Sequence, residues 1–517
     1  MSGYTQAATT TVAIPSRARA TATAVPWLLS IVLPSLGSVI FAVTLFNVIF
    51  LSAGTRTLFR DSDTGWHVRN GEAIIRQGVV PTTDSFSYTH AGREWFAWEW
   101  LADVILGGAH MAAGPAGVAM LSALIIALTG WGAWRLTLSL GGNLFLATAA
   151  LRPLLGTSTI HWLARPHLFS WMIGLAFIAI AERHRRELAS SRSLYLLPLL
   201  SCLWANLHGS FLLGTALLLI YAVGEWLCGE VGRATGRRFA LASLASLLAS
   251  FINPYGWRVH EHIFAYLQNT YLMDRISEFR SFSFHGPGAI YVELFLLLAA
   301  VGTVALFREG AYGPGLLSLA LLHMSLYSAR HLPTYAILMA PIFVAAISRH
   351  LETLPRLERA LSYSRRVLAL DRQVSGAVAS CLAIVVMVLL LQVQARAGLV
   401  GFDPQKFPVR AAEFLAQQGT NKRVFARDYW GGYLIYRFDG QMKVFIDGRS
   451  DFYGEDWLET YSQVIEVRPG WDRLLDAFAV DSVLLPPGHA LTSALRLHPD
   501  WRPVYADSVA AVFERKR

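Results

Sequence analysis

The feature that most constrains this chain is a succession of uninterrupted apolar runs, each close to the length a helix needs to cross a lipid bilayer. A hydrocarbon core about 30 Å thick is spanned by roughly 20 residues rising about 1.5 Å each, and a helix satisfies its own backbone hydrogen bonds there. By that measure spans fall near 27–51, 115–139, 142–160, 166–182, 193–206, 210–228, 239–253, 289–307, 313–328, 333–348 and 374–396, about eleven in all. Of the 517 residues, 54% are hydrophobic and 15% charged, whereas a soluble domain carries about 25% charged residues. The composition argues against a soluble protein. The first run exceeds the roughly 7–15 apolar residues of a cleavable signal core, so it reads as a retained span.

Arginines in the short loops orient these spans. Arg183, Arg185, Arg186 and Arg192 precede the segment 193–228, and Arg233, Arg237 and Arg238 follow it. Basic loops face the cytoplasm, so an even number of crossings separates the two, and 193–228 is a hairpin broken at Asn206-Leu207-His208-Gly209. The basic stretch 349–373 and the N-terminal tail 1–26 fall on the same side. An odd number of spans then puts everything after 398 outside. The net charge of +9 reports this topology and not a nucleic-acid partner. Cys202, Cys228 and Cys381 lie in or beside apolar runs, far from any CxxC spacing, and read as core residues. The expected organisation is a tail (1–26), a membrane domain (27–398) with a long first outer loop (52–114), and a C-terminal α/β domain (399–517).

The polar residues of the outer loops form a pattern. The first loop opens Asp61-Ser62-Asp63-Thr64-Gly65-Trp66-His67, and later connections carry His161, Arg165 and His167, then Asn206 and His208, then Arg258, His260 and His262, then Arg330 and His331. Singly, each residue fits an interfacial belt or a snorkelling helix end. Together, in turns of two to four residues, they suggest one site, because ionisable groups at the membrane edge usually mark function. A carboxylate at Asp63 could serve as a general base, a metal ligand or a helix N-cap. Arg165, Arg258 and Arg330 suit a phosphate, since a guanidinium donates a planar fork of hydrogen bonds. His67, His167, His208, His260 and His331 complete the candidate binding set. Trp95, Trp98, Trp100, Trp162 and Trp257 could stack on sugar rings or anchor the interface.

A multi-span body, a long first outer loop opening with Asp61-x-Asp63, and a soluble C-terminal domain on the same side resemble the GT-C superfamily of membrane glycosyltransferases. The resemblance implies a sugar taken from a polyprenyl-phosphate or diphosphate donor on the non-cytoplasmic face of a bacterial cytoplasmic membrane. It implies a glycan, lipid or protein acceptor, and an acidic residue of the first outer loop as base or as ligand to a divalent cation such as Mg or Mn. That role falls on Asp63, with Asp61 second. Asp63-Thr64 stands where the best-known relatives have Asp-Glu, and no WWD-type motif is present. The competing expectation is a transporter or flippase of a lipid-linked saccharide. Such proteins are commonly built from repeats around a midplane site, and no internal repeat is visible.

Beyond the last span the sequence alternates short elements. Helices are expected at 407–417, 457–467 and 471–478, and strands at 423–426, 443–446, 482–485, 502–506 and 509–514. Two segments stand apart: Asp428-Tyr429-Trp430-Gly431-Gly432-Tyr433 and Phe445-Ile446-Asp447-Gly448-Arg449-Ser450-Asp451-Phe452-Tyr453. Asp447 is expected at the C-terminal end of a strand, the usual position for ligand contacts in open α/β sheets. Asp447, Arg449 and Asp451 either bind a ligand or close a turn that docks the domain onto the outer loops. No nucleotide-binding glycine loop is present.

Overall fold

The computed structural model describes residues 26–51 and 54–516; the N-terminal tail lies almost wholly outside the described residues. A helix stands at each expected span: Leu36–Phe50 after a short turn Trp27–Val32, the second part of Trp100–Ser139, Leu144–Ser158, His167–Arg185, Leu196–Leu207, Leu212–Leu227, Glu230–Ala249, Ala289–Arg308, Tyr312–Tyr327, Leu332–Glu352 and Ala377–Arg396. Six segments are long and apolar enough to cross a membrane by length and composition: Trp27–Phe50, Trp100–Ser139, Gly209–Leu227, Ala289–Arg308, Ala329–Glu352 and Ala377–Arg396. The chain is therefore an integral membrane protein. The other five helices do not meet that measure of length and composition.

The ends of these helices separate into two groups. At one end the Leu140 carbonyl accepts from both Arg186 and Arg349, the Asn143 N–H donates to Ser348, and the Leu36 N–H donates to Asp371. These are the loops expected on the arginine-rich side. The loops expected on the other side gather at the opposite end and are covered by the C-terminal domain.

The first outer loop is more structured than its sequence suggested. It holds the helix Asp63–Gln77 and the start of the Trp100–Ser139 helix, which kinks where Gly114 adopts a φ of 58° immediately ahead of Pro115. Gly71 and Gly107 let these two helices touch: a Cβ on Gly71 would collide with the Asp103 carbonyl, and one on Gly107 with the Glu72 amide.

The C-terminal domain is a four-stranded mixed sheet with five helices of seven or more residues, Val409–Gln417, Asp428–Arg437, Glu455–Ile465, Trp471–Ala477 and Ala490–Leu497. Strands β1 (Val424–Ala426), β2 (Ser482–Leu485), β3 (Trp501–Ala506) and β4 (Ala511–Arg515) lie in the order β1-β2-β4-β3, with β1 and β2 parallel and the other pairs antiparallel. Two expectations need correction. The segment 443–446 is not a ladder strand; Val444 makes isolated parallel bridges to Val424 and to Ser87 of the first outer loop. Asp447 therefore follows a link between domains and not a sheet strand. Asp428–Arg437 is a helix despite Gly431 and Gly432, whose cost in a helix interior is about 1 kcal/mol each. Both glycines are needed for contact, since a Cβ on Gly432 would meet the Ser62 carbonyl and one on Gly431 the Ile446 carbonyl. The domain core extends into the outer loops, taking in Trp66, Phe86, Trp95, Leu272, Met273 and Phe279.

Candidate active site

Asp61 and Asp63 stand at the start of the Asp63–Gln77 helix with different surroundings. The Asp61 Oδ1 accepts the Asp63 N–H at 3.0 Å, which caps the start of the Asp63–Gln77 helix. Asp63 is thereby free to point its buried side chain into a cavity of about 370 Å³ at the junction of bundle and C-terminal domain. That volume suits a small ligand or the head of a larger one. The cavity is lined from five directions: Asp61, Asp63 and Trp66 from the first loop, Trp95, Trp98 and Glu99 before the Trp100 helix, Arg165 and His208 from tight turns, Tyr266 to Phe279 with Arg330, and Asp428, Tyr429 and the 447–451 segment.

Arg165 holds the acidic side together. Its guanidinium lies 2.6 Å from Asp61, 3.2 Å from Asp63 and 3.4 Å from Glu278. Burial alone would lower its pKa, but the Asp61 and Asp63 charges outweigh this and hold it well above the ordinary range. Burial likewise works on Asp63, and the neighbouring Asp61 charge adds to it; Arg165 offsets only part, and the carboxyl is pushed up to about 8. Burial would also raise Glu278, yet Arg165 and Arg330 together bring it below the usual carboxylate range. Space around Asp63 is tight, because a Cβ on Gly448 would collide with its Oδ1.

A second polar chain enters from Glu99. His67 Nδ1 lies 2.6 Å from Asp103 Oδ1, whose other oxygen accepts from Asn70 at 2.6 Å. Burial holds the His67 ring neutral, and its Nε2 faces Glu99 at 3.7 Å. In His208, Nδ1 accepts the Ser210 N–H at 3.3 Å, leaving Nε2–H directed at Glu99 Oε1 at 3.4 Å. Glu99 is pushed up to about 8 by burial first and by the Asp103 charge second. The cavity thus holds two carboxyls, Asp63 and Glu99, poised to gain or lose a proton near neutrality.

The other candidates divide by position. Arg330 lines the cavity and lies over the Phe279 ring at 4.5 Å, with no ion pair among the described residues. His167, with His161, lies in a small extension of the cavity, where its Nε2 donates to the His161 carbonyl at 2.8 Å. Arg258 is outside, paired with Glu94 at 2.7 Å and set over Phe96. His260 is also outside, stacked on Phe251 at 4.2 Å with Nε2 bonded to Ser250. His331 does not line the cavity. Trp95 and Trp98 do, whereas Trp162 is buried against Ser158 and Trp257 is exposed.

Arg449 is buried between Asp447 and Asp84, at 2.7 and 2.8 Å, and boxed by the rings of Trp95, Phe452 and Phe86. Asp447 also accepts from Tyr453 at 3.0 Å, and Asp451 takes a bond from His262 at 3.0 Å. These contacts dock the C-terminal domain onto the loops, while Asp447, Arg449 and Asp451 still present atoms to the cavity wall. Sequence reasoning missed Glu99 and Glu278. The available signal was their position, carboxylates among aromatic residues in outer loops.

A divalent cation needs oxygen ligands converging on an open point. Here the Arg165 guanidinium fills the space between Asp61, Asp63 and Glu278, and among the described residues no three His, Cys, Asp or Glu side chains are placed to hold a metal. As they stand, these side chains fit a guanidinium and not a resident cation.

No protein-family model and no curated protein sequence matches this chain. Solved structures do. The apo oligosaccharyltransferase of Archaeoglobus fulgidus aligns over 87% of this chain and 69% of its own, with a TM-score of 0.56 at 12% identity. The same organism's oligosaccharyltransferase in complex with Zn and sulfate aligns over 93% and 73%, with a TM-score of 0.57 at 9% identity. The archaeal oligosaccharyltransferase AglB with an inhibitory peptide and a dolichol-phosphate gives 0.56 at 10% identity over 93% and 74%. Over 87% to 93% of its length the chain shares the fold of these archaeal oligosaccharyltransferases.

Proposed function

We propose that this protein is a membrane glycosyltransferase that moves a sugar from a polyprenyl-phosphate-linked donor to an acceptor at the face bearing the Asp63 cavity. The observation that carries this reading is the cluster of Asp61, Asp63, Arg165 and Glu278 at a helix start, opening into a cavity that also presents Arg330, which has no ion pair among the described residues. The fold supports it, and one structure of that fold was captured with a dolichol-phosphate.

In the proposed reaction the acceptor X–H approaches Asp63, whose carboxylate takes its proton as X attacks the anomeric carbon. The bond from that carbon to the phosphate oxygen breaks with inversion, and polyprenyl phosphate leaves with the electron pair. Arg330 supplies donors to the phosphate oxygens as their charge grows. Arg165 holds Asp63 in place and leaves one face of its carboxylate open to the cavity. Glu99, backed by His67 and His208, is the second group able to exchange a proton with bound substrate. Trp95 and Trp98 offer apolar faces to a sugar ring. The acceptor is a glycan, lipid or protein, and the membrane is the bacterial cytoplasmic membrane.

Purified protein with a polyprenyl-phosphate sugar tests this. Asp63→Asn is expected to bind donor with unchanged affinity and to lose transfer by about 100-fold or more. Arg330→Gln is expected to weaken donor binding. Transfer by Asp63→Asn within about twofold of the parent would remove Asp63 as the base.

A further inference from the structure

A second cavity, of about 710 Å³, lies at the opposite end of the bundle from Asp63. It is bounded by the start of the Leu36–Phe50 helix, the end of the Trp100–Ser139 helix, the end of the helix Glu358–Asp371 and the start of the Ala377–Arg396 helix. It is amphipathic. Arg135, Arg372 and several serine hydroxyls form its polar part, while Phe41, Leu128 and Ile384 extend it along the apolar helix faces.

Three features define what would fill it. Arg135 lies over the Trp131 ring at 5.7 Å, and among the described residues neither Arg135 nor Arg372 has an ion pair. The one lining carboxylate, Asp371, already accepts the Leu36 N–H at 2.6 Å. The Ala377–Arg396 helix, which lines the cavity through Ser380 and Ile384, is only 11% buried along its most apolar stretch and so faces mostly outward. Basic pockets between spans on the arginine-rich face are suited to anionic headgroups.

We propose that this cavity binds one anionic phospholipid, with its phosphate held by Arg135 and Arg372 and an acyl chain lying between the first, second and last spans. The lipid would secure the last span, which carries the C-terminal domain, to the rest of the bundle. This assignment does not depend on the transferase reading.

Native mass spectrometry of the full chain released from nanodiscs tests it, with phosphatidylglycerol, phosphatidylcholine and inorganic phosphate as probes. The parent is expected to retain one phosphatidylglycerol in preference to phosphatidylcholine and to show no saturable binding of inorganic phosphate alone. Arg135→Gln with Arg372→Gln should reduce retention at least about tenfold. Ser380→Leu, which fills the cavity without changing charge, should do the same by an independent route, and Arg233→Gln, in the Glu230–Ala249 helix away from the cavity lining, should have no effect. Equal retention of the two phospholipids, or undiminished retention in the double variant, would overturn the proposal. Saturable binding of inorganic phosphate without lipid would reassign the cavity to a soluble anion.

Discussion

Asp63 and Glu99 are buried carboxyls whose charged forms the fold resists, and this has two measurable consequences. If Asp63 is the base, transfer requires its ionised form, so the rate should fall as pH drops below about 8. The pH–rate profile checks this, and a flat profile from pH 6 to 9 would oppose it. Both groups are raised above their unfolded values, so their contribution to stability is fully present below about pH 4. It is lost as pH rises through about 8. Asp63→Asn should therefore melt higher than the parent at pH 8.5 and show no such gain at pH 4, as thermal unfolding would reveal. Arg165 yields a third outcome. Because its guanidinium fills the acidic cluster, transfer by the parent should survive a chelator, measured as activity after EDTA treatment and dialysis. Arg165→Ala leaves Asp61 and Asp63 uncompensated and should lose activity by more than about tenfold.

Among the elements, the most consequential contact is between the 81–95 part of the first loop and the 444–453 segment of the C-terminal domain. Val444 bridges to Ser87, and Arg449 joins Asp84 to Asp447 in an aromatic box. Removing one partner of a buried pair costs about 3–5 kcal/mol, because it leaves an uncompensated charge. Arg449→Met should therefore destabilise the outer assembly by about that amount and expose the 81–95 loop to protease, while the bundle remains folded. Limited proteolysis resolves the two. Asp61 and Asp63 were legible as cavity-lining candidates because they open the first outer loop as an acidic pair, although a helix cap explained them equally well. The helix Asp428–Arg437 was not, because two central glycines oppose helix formation locally. Their purpose is visible only where Ser62 and Ile446 press against them.

For the whole molecule, the alternation of spans and arginine-rich loops predicts that residue 188 and the C-terminus lie on opposite sides of the membrane. Reporter fusions at both positions check this, and the same compartment for both would break the eleven-crossing topology. The two groups of loop contacts agree with the alternation, since the loops around 140–143, 186 and 349 meet at one end and those around 61, 165, 208 and 330 at the other. The C-terminal domain covers the second end and shares its core with the loops. Substrate would thus meet the membrane body and the domain together.

By itself the sequence determined the class of the molecule, because apolar run length is set by the bilayer and needs no tertiary contacts to act. It also marked which loops hold unusual chemistry. The tertiary structure decided which of those residues share a cavity. It separated Arg330 and His208, which line the site, from Arg258 and His260, which pair with Glu94 and Ser250 away from it. It added Glu99 and Glu278, whose importance comes from burial and from neighbours distant in sequence. Span periodicity specifies where a helix ends. Only the packing of several helices and a covering domain specifies which of those ends face one another.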